Sequence, residues 1–460
     1  MLVLQSLMYF IYSLLLGFAF LILLPRFVFD AFRHGKYVAG FRERLGRLSP
    51  IKNDGRPVIW IHCVSVGETQ AARPLVQGLR KRFPNYSIVI STITLTGQNL
   101  ARKIFKDDAE KVFYFPFDWR RVARKTLKAV NPAMVLLLET ELWPGFLREC
   151  KAQQIPVAII NGRLSEQSFS RYRLIRRFMA RVLDGISLAI MQTDSDALRI
   201  KKLGMDADRT FVSGNLKFDA GTVPVNDSLS AEFRERFKLT ADAPLILAAS
   251  THAPEEVIII NALRQLIFRS EFKPRLMIAP RHPERFSAVS DLLRASGLRW
   301  TRRTARKDPG DVQADVILLD SIGELQSAYS LASIVFVGGS IANTGGHNIL
   351  EPAAAGAAVI TGPHTYNFRL VVEKFVDAGA VIQIRPMSDS AAIIQLGNLI
   401  SELLADPVRR QQLGAQARSL VAQNRGATGR TIDLLSSILS NSAKRVEHVA
   451  PSRIRSAPTI

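Results

Sequence analysis

The sequence predicts an α/β protein made of two parallel-sheet domains behind one N-terminal transmembrane helix. Three observations predict it. A chain of 460 residues exceeds one ordinary hydrophobic core. Short apolar runs alternate with helix-length stretches in two successive series, separated by one polar interruption. An uncharged apolar segment opens the chain.

That opening segment, Val3 to Leu24, carries no charged side chain and has the length of about 20 residues that a bilayer core requires. Pro25 and Arg26 end it. Arg26, Arg33, Lys36, Arg42, Arg44 and Arg47 follow, and no charge precedes. This asymmetry places the remainder in the cytoplasm. A cleaved signal peptide would show a basic start and a small-residue cleavage site, and neither is present. Residues 1–25 are therefore expected to be the anchor. Residues 26–57 are a basic juxtamembrane linker, which either rests on anionic headgroups or is only the positive flank of the anchor.

The first series of strands begins at Val58-Ile59-Trp60-Ile61. It continues with Ser87–Thr92, Val112–Phe115, Ala133–Leu138, Pro156–Ile160 and Leu188–Gln192. Unbroken apolar runs of this kind suit strands buried on both faces. Residues 58–220 make the first domain and the polar stretch 221–243 an interdomain linker. The second domain, 244–440, resumes with Pro244–Ala249, Arg275–Ala279, Val316–Leu319, Ile334–Val337 and Ala358–Ile360. Residues 441–460 read as a basic tail, disordered from Lys444 onward. Two such domains invite a ligand cleft between them, at the carboxyl ends of their strands.

Composition narrows the function. The net charge of +21 points to an anionic partner. No nucleic-acid module appears, so an anionic membrane or lipid is the better match. Two cysteines, Cys63 and Cys150, support no disulfide framework. Neither G-x-G-x-x-G after the first strand nor a P-loop is present, which disfavours dinucleotide enzymes and P-loop kinases. The histidines lack paired spacing, and no metal or other cofactor is implied.

Acidic and basic residues cluster where strands end. Glu68 follows Val64-Ser65-Val66-Gly67, as either a general base or a carboxylate that favours a helix dipole. Glu139-Thr140-Glu141-Leu142-Trp143-Pro144 offers two carboxylates, for a cleft or for capping. Arg163 lies in Asn161-Gly162-Arg163-Leu164-Ser165. Beyond it Arg173, Arg176, Arg177 and Arg181 fall near one helix face, which would meet phosphates or bilayer, or simply water. Lys217, in Gly214-Asn215-Leu216-Lys217-Phe218-Asp219, is placed to neutralise developing charge or is an ordinary surface lysine. In the second half, Arg281 and His282 suit a nucleotide phosphate. Asp320-Ser321-Ile322-Gly323-Glu324 again follows a strand. Gly338-Gly339-Ser340 and Gly345-Gly346-His347-Asn348-Ile349-Leu350-Glu351-Pro352 form glycine-rich turns whose N–H groups would face an anion, with Glu351 available to ribose hydroxyls.

Together these segments resemble the transferases of 3-deoxy-D-manno-oct-2-ulosonic acid (Kdo) in lipopolysaccharide assembly. S-V-G-E, E-T-E-L-W-P, N-x-R-L-S, G-N-L-K-F-D, P-R-H-P-E-R and G-G-H-N-I-L-E-P all look like that family's motifs, in its order, and the likeness runs from the anchor to near Arg430. The resemblance implies a GT-B fold, two Rossmann-like domains facing a central cleft. It implies an inverting, metal-free transfer of Kdo from CMP-Kdo to a lipid A precursor, a tetraacyldisaccharide bisphosphate. By that resemblance Glu68 is the base, and Glu139 and Lys217 stabilise the transition state. Arg281, His282, Ile322, Gly323, Glu324, Asn348, Ile349, Leu350 and Glu351 fall at CMP-binding positions. Arg163, Arg173, Arg176 and Arg177 remain candidates for facing the acceptor or the membrane. Gly145 stands where the family often has asparagine. Two rivals remain: a GT-B transferase using a UDP-sugar on another envelope lipid, and a non-catalytic membrane scaffold that binds acidic lipids.

Overall fold

A computed structural model describes residues 8–22, 25, 40–49, 51, 54–220, 226–240, 244–269 and 273–449. The chain forms two units, one of Met1–Ala220 with Arg425–Ile460 and one of Gly221–Asn424.

The first unit holds seven parallel strands: β1 Val58–His62, β2 Ser87–Thr92, β3 Lys111–Tyr114, β4 Pro132–Leu138, β5 Val157–Gly162, β6 Leu188–Met191 and β7 Thr210–Val212. Their order is β3-β2-β1-β4-β5-β6-β7. Alternation along β1 sends Val58 and Trp60 to one core and Ile59 and Ile61 to the other. Trp60 packs edge-on against Phe146 at 5.1 Å, beneath the helix Pro144–Ala152. The strand order reverses between β1 and β4, and ligands of such sheets bind at the carboxyl ends beside that reversal.

The second unit repeats the plan with β8 Leu245–Thr251, β9 Arg275–Pro280, β10 Trp300–Arg302, β11 Val316–Leu318, β12 Ala332–Val337, β13 Ala358–Thr361 and β14 Val381–Gln383. The order is β10-β11-β9-β8-β12-β13-β14, reversing between β8 and β12. The sequence reading missed β7, β10 and β14. Each has three residues and an edge position, too short to leave a periodic apolar run.

Several boundaries differ from expectation. The described part of the stretch taken as a linker, 221–243, belongs to the second unit and carries the helix Asp227–Arg236. Arg236 is buried there, and its guanidinium meets Asp311 at 2.8 Å. The second domain does not run to 440: from Arg425 the chain belongs to the first unit. Ala427, Ile432, Leu435 and Leu439 fill one face of the first sheet's core. Asp219 caps this returning helix, accepting the Gly426 and Thr428 N–H groups at 2.8 and 2.6 Å. The helix extends through Val449, into the stretch expected to be disordered from Lys444, and 450–460 lie outside the described residues.

No helix among the described residues is long and apolar enough to cross a membrane, so the single span over 1–25 is not supported. Residues 8–22 are helical. One face of that helix packs on the first unit: Tyr9 on Phe178 at 5.6 Å, and Phe20 on Phe117 and Trp119 at 5.7 and 5.2 Å. Tyr12 donates to Asp118 at 2.7 Å. The other face leaves Phe10, Leu14, Phe18 and Leu21 exposed. The expected linker also contains structure. In the short helix Phe41–Arg44 the Arg44 guanidinium lies 4.5 Å over the Tyr114 ring, so this charge serves the fold. Residues 26–39 fall outside the described set.

Candidate active site

In the first unit the acidic and basic motifs converge on the ends of neighbouring strands. Glu68 lies in the first turn of Val66–Arg82, a helix that starts just beyond β1. Ser65 is the N-cap. Its hydroxyl donates to Glu68 Oε1 at 2.8 Å, and the Val64 N–H donates to Oε2 at 2.8 Å. Burial raises the Glu68 carboxyl to about 7, the Glu139 and Glu141 charges push the same way, and the two hydrogen bonds oppose them. A carboxyl that changes charge near neutrality matches the needs of a general base. Glu68 therefore holds the helix-start position, and the same carboxyl has the charge behaviour that a general base requires.

Glu139 follows β4, on the other side of the strand reversal. Its φ of 55° is left-handed, a costly conformation for glutamate that often marks functional sites. Lys217 Nζ lies 3.7 Å from Glu139 Oε1, with both side chains partly buried. Glu141 is also raised to about 7, by burial and then by Glu139. Asn161, at the end of β5, fastens these segments together. Its side-chain oxygen accepts the Leu216 N–H at 3.0 Å, one residue before Lys217. Arg163 joins through its backbone, whose N–H donates to Thr140 Oγ1 at 3.0 Å. Gly145 has no room for a side chain, because a Cβ would stand 2.4 Å from the Asp118 carbonyl. Asp118 instead accepts the Gly145 and Phe146 N–H groups, capping the helix that follows the Glu139 loop.

The expected arginine stripe is not one helical face. The helix Glu166–Leu174 ends at Ile175 and a second begins at Arg176. Arg173 lies on the first of these, while Arg176 and Arg177 open the second. All three are exposed, beside the exposed Leu174 and Ile175.

In the second unit Arg281 and His282 follow β9 and are exposed. Gly323 has a φ of 90°, Ile322 is exposed, and Glu324 binds Arg303 at 3.0 and 3.1 Å. Asn348 braces the last turn: its amide donates to Glu351 at 3.0 Å, and its oxygen accepts the Leu350 N–H. Ile349 and Leu350 are fully buried, which leaves only their backbones for a ligand. Burial raises the Glu351 carboxyl, against Asn348 and the Arg281 charge.

One expectation is overturned here. The N–H groups of Gly339, Ser340, Ile341 and Ala342 do not await an anionic ligand. Glu255, fully buried, accepts all four at 2.8–3.2 Å together with the His252 N–H at 2.9 Å. The first glycine turn is thus closed by a carboxylate of the chain itself. The sequence places Glu255 84 residues before Gly339, and no local pattern joins them. Sequence reasoning also missed His252, whose Nε2 lies 2.8 Å from His347 Nε2. Its position just after β8, at the strand reversal, was the available signal. Among the described residues no cluster of three His, Cys, Asp or Glu side chains could hold a metal ion.

Comparison with known proteins supplies the lineage. A family profile described as 3-deoxy-D-manno-octulosonic-acid transferase (kdotransferase) matches residues 39–220. The 3-deoxy-D-manno-octulosonic acid transferase of Haemophilus influenzae is 36% identical over 378 residues, covering 82% of this chain and 86% of its own. That of Bordetella pertussis is 34% identical over 386 residues, with the same coverage. MurG of Acinetobacter baumannii, at 13% identity, superposes with a TM-score of 0.51 over 83% of this chain and 99% of its own, a likeness of two-domain GT-B fold alone. The identities with the two transferases extend across both units, and on that basis the chain belongs to the family of 3-deoxy-D-manno-octulosonic acid transferases, which are glycosyltransferases.

Proposed function

We propose that the protein transfers Kdo from CMP-Kdo to a lipid A precursor in lipopolysaccharide core assembly, with inversion and without a metal. The observation that carries this reading is Glu68, a buried carboxyl raised to about 7 beside the Glu139–Lys217 pair. The acceptor hydroxyl loses its proton to Glu68 as its oxygen attacks the anomeric carbon. The bond from that carbon to the CMP phosphate oxygen breaks, and the phosphate carries away the electron pair. Lys217, held by Glu139, offsets charge that grows in the transition state. On the second unit Arg281 and His282 meet the phosphate. Asn348, the 349–350 backbone and Glu351 hold the nucleoside, and the 322–324 loop borders it.

The protein's seat is proposed to be the cytoplasmic face of the inner membrane. The exposed side of helix 8–22 and the Leu174–Ile175 step offer apolar side chains, and Arg173, Arg176 and Arg177 offer positive charge to anionic lipid.

The test incubates purified protein with CMP-Kdo and a tetraacyldisaccharide bisphosphate and weighs the lipid by mass spectrometry. Addition of Kdo that disappears in Glu68→Gln supports the reading. Turnover of a UDP-sugar instead, or no turnover of any sugar nucleotide, defeats it.

A further inference from the structure

With Glu255 occupying the first glycine turn, the donor phosphate needs another cradle. The second unit provides one in three imidazoles and a guanidinium. His252 follows β8 and His347 lies in the loop after β12, so they flank the strand reversal. Their Nε2 atoms stand 2.8 Å apart, with the rings 10° from parallel. His282 meets His252 edge-on, with ring centroids 5.3 Å apart.

Two nitrogens at that separation share one proton, since neither two N–H groups nor two lone pairs can face each other there. The neutral pair thus holds two ring protons, one between the Nε2 atoms and one on a single Nδ1. The pair can accept just one more without breaking this bond, on the other Nδ1. Its surroundings resist that proton. The groups facing His252 are His282, Glu256, Arg281 and Arg285, with Glu255 bound to its backbone; those facing His347 are Arg281, His252 and His282. Glu256 is the favourable charge at His252, but it is shared with Arg285 at 3.0 Å. Burial first, and then these cations, push His347 down to about 3 and lower His252. An anion set among these groups reverses the balance, because it stabilises the imidazolium and screens it from Arg281.

We propose that His252 and His347, beside Arg281, form the phosphate clamp of the donor site, and that the phosphate binds together with one proton taken up by the pair. The inference rests on the donor-site reading above and adds to it two residues, His252 and His347, and a linked proton. The proton comes from solvent and returns there when CMP leaves.

Calorimetric titration of CMP and of cytidine into the full-length protein, in buffers of low and high ionisation enthalpy at pH 7, tests it. Uptake approaching one proton per CMP and none with cytidine is expected. CMP affinity should weaken by about tenfold per pH unit between the pKa of the free pair and that of the bound pair, the slope of a single linked proton, and level off above the latter. His252→Gln and His347→Asn should each bind CMP more weakly and lose most of the uptake while still binding cytidine, which shows that the site is folded. Absence of uptake in the native protein overturns the clamp and leaves the donor site standing. Unchanged uptake in both variants assigns the proton to the phosphate itself and also overturns it. Failure of both CMP and cytidine to bind removes the donor-site reading, and the clamp with it.

Discussion

The Ser65 hydroxyl donates to the Glu68 carboxylate at 2.8 Å and accepts the Glu68 N–H at 3.3 Å. This reciprocal pair starts a helix and also fixes one rotamer of the carboxyl group proposed as the base. A loosely held glutamate would need to find that geometry at each turnover.

Glu68→Gln keeps this arrangement, since an amide can accept from the Val64 N–H and donate to Ser65. Turnover should fall by about 10²–10⁴-fold, with the melting temperature near pH 7 almost unchanged. Steady-state kinetics and calorimetry on the same preparation check both. A variant that stays active but melts early would leave Glu68 with its capping role alone.

The pH profile should show a rising limb near 7, because the base works only when deprotonated and Glu68 is raised to about 7. Burial is the larger cause and Glu139 the next, so Glu139→Gln should move the limb to lower pH. The linkage has a matching sign. A raised carboxyl binds its proton more tightly in the folded state, so its stabilising contribution is full below 4.5 and is lost as pH rises through about 7. Glu68→Gln should flatten that part of the stability–pH curve.

Lys217→Ala removes a 3.7 Å pair whose members are 19% and 26% exposed. Loss of such a pair costs little stability, about 0–1 kcal/mol. Turnover should drop by roughly 10²-fold or more if the ammonium meets charge that appears only in the transition state. Equal losses of stability and activity would assign the pair to the fold.

Asp118 ties the N-terminal helix to the loop carrying Glu139. It accepts from Tyr12 at 2.7 Å and from the Gly145 and Phe146 N–H groups at 2.9 and 2.6 Å. Asp118→Ala should destabilise the first unit by about 1–2 kcal/mol, the usual cost of a lost cap, and Tyr12→Phe by about 1 kcal/mol. A protein starting near Phe27 should still bind CMP, whose proposed ligands lie in the second unit. It should melt earlier, because Phe178, Phe117 and Trp119 are uncovered. Nucleotide titration and thermal melts separate the two effects.

Glu255→Gln tests the closed glycine turn. An amide nitrogen would face N–H donors that now meet a carboxylate, at a cost of roughly 3 kcal/mol or more. Chemical denaturation should show this loss in the second unit, with CMP binding weakened only as far as unfolding accounts for. Tighter CMP binding in a stable variant would mean that Glu255 competes with the phosphate.

The sequence by itself determined the parallel sheets, because strands buried on both faces must be apolar throughout, and runs such as Val58–Ile61 and Met134–Leu138 cannot be disguised. It also marked candidate loops: Glu68, Glu139 and Arg281 each come soon after an apolar run, where a doubly wound sheet gathers ligands, whereas the strand before Lys217, β7, was too short to read. Tertiary structure decided whatever joins residues far apart in the chain. The closing helix returns to the first unit because Leu435 and Leu439 complete a core that opened with Ile59. Glu255 fills the Gly339 turn, and His252 finds His347. Helix 8–22, apolar enough in sequence to suggest a span, spends its aromatic face on Phe178, Phe117 and Trp119. Periodicity records which side of an element is buried, but not what covers it. That choice depends on shape, hydrogen-bond geometry and charge, which exist only once the chain has folded.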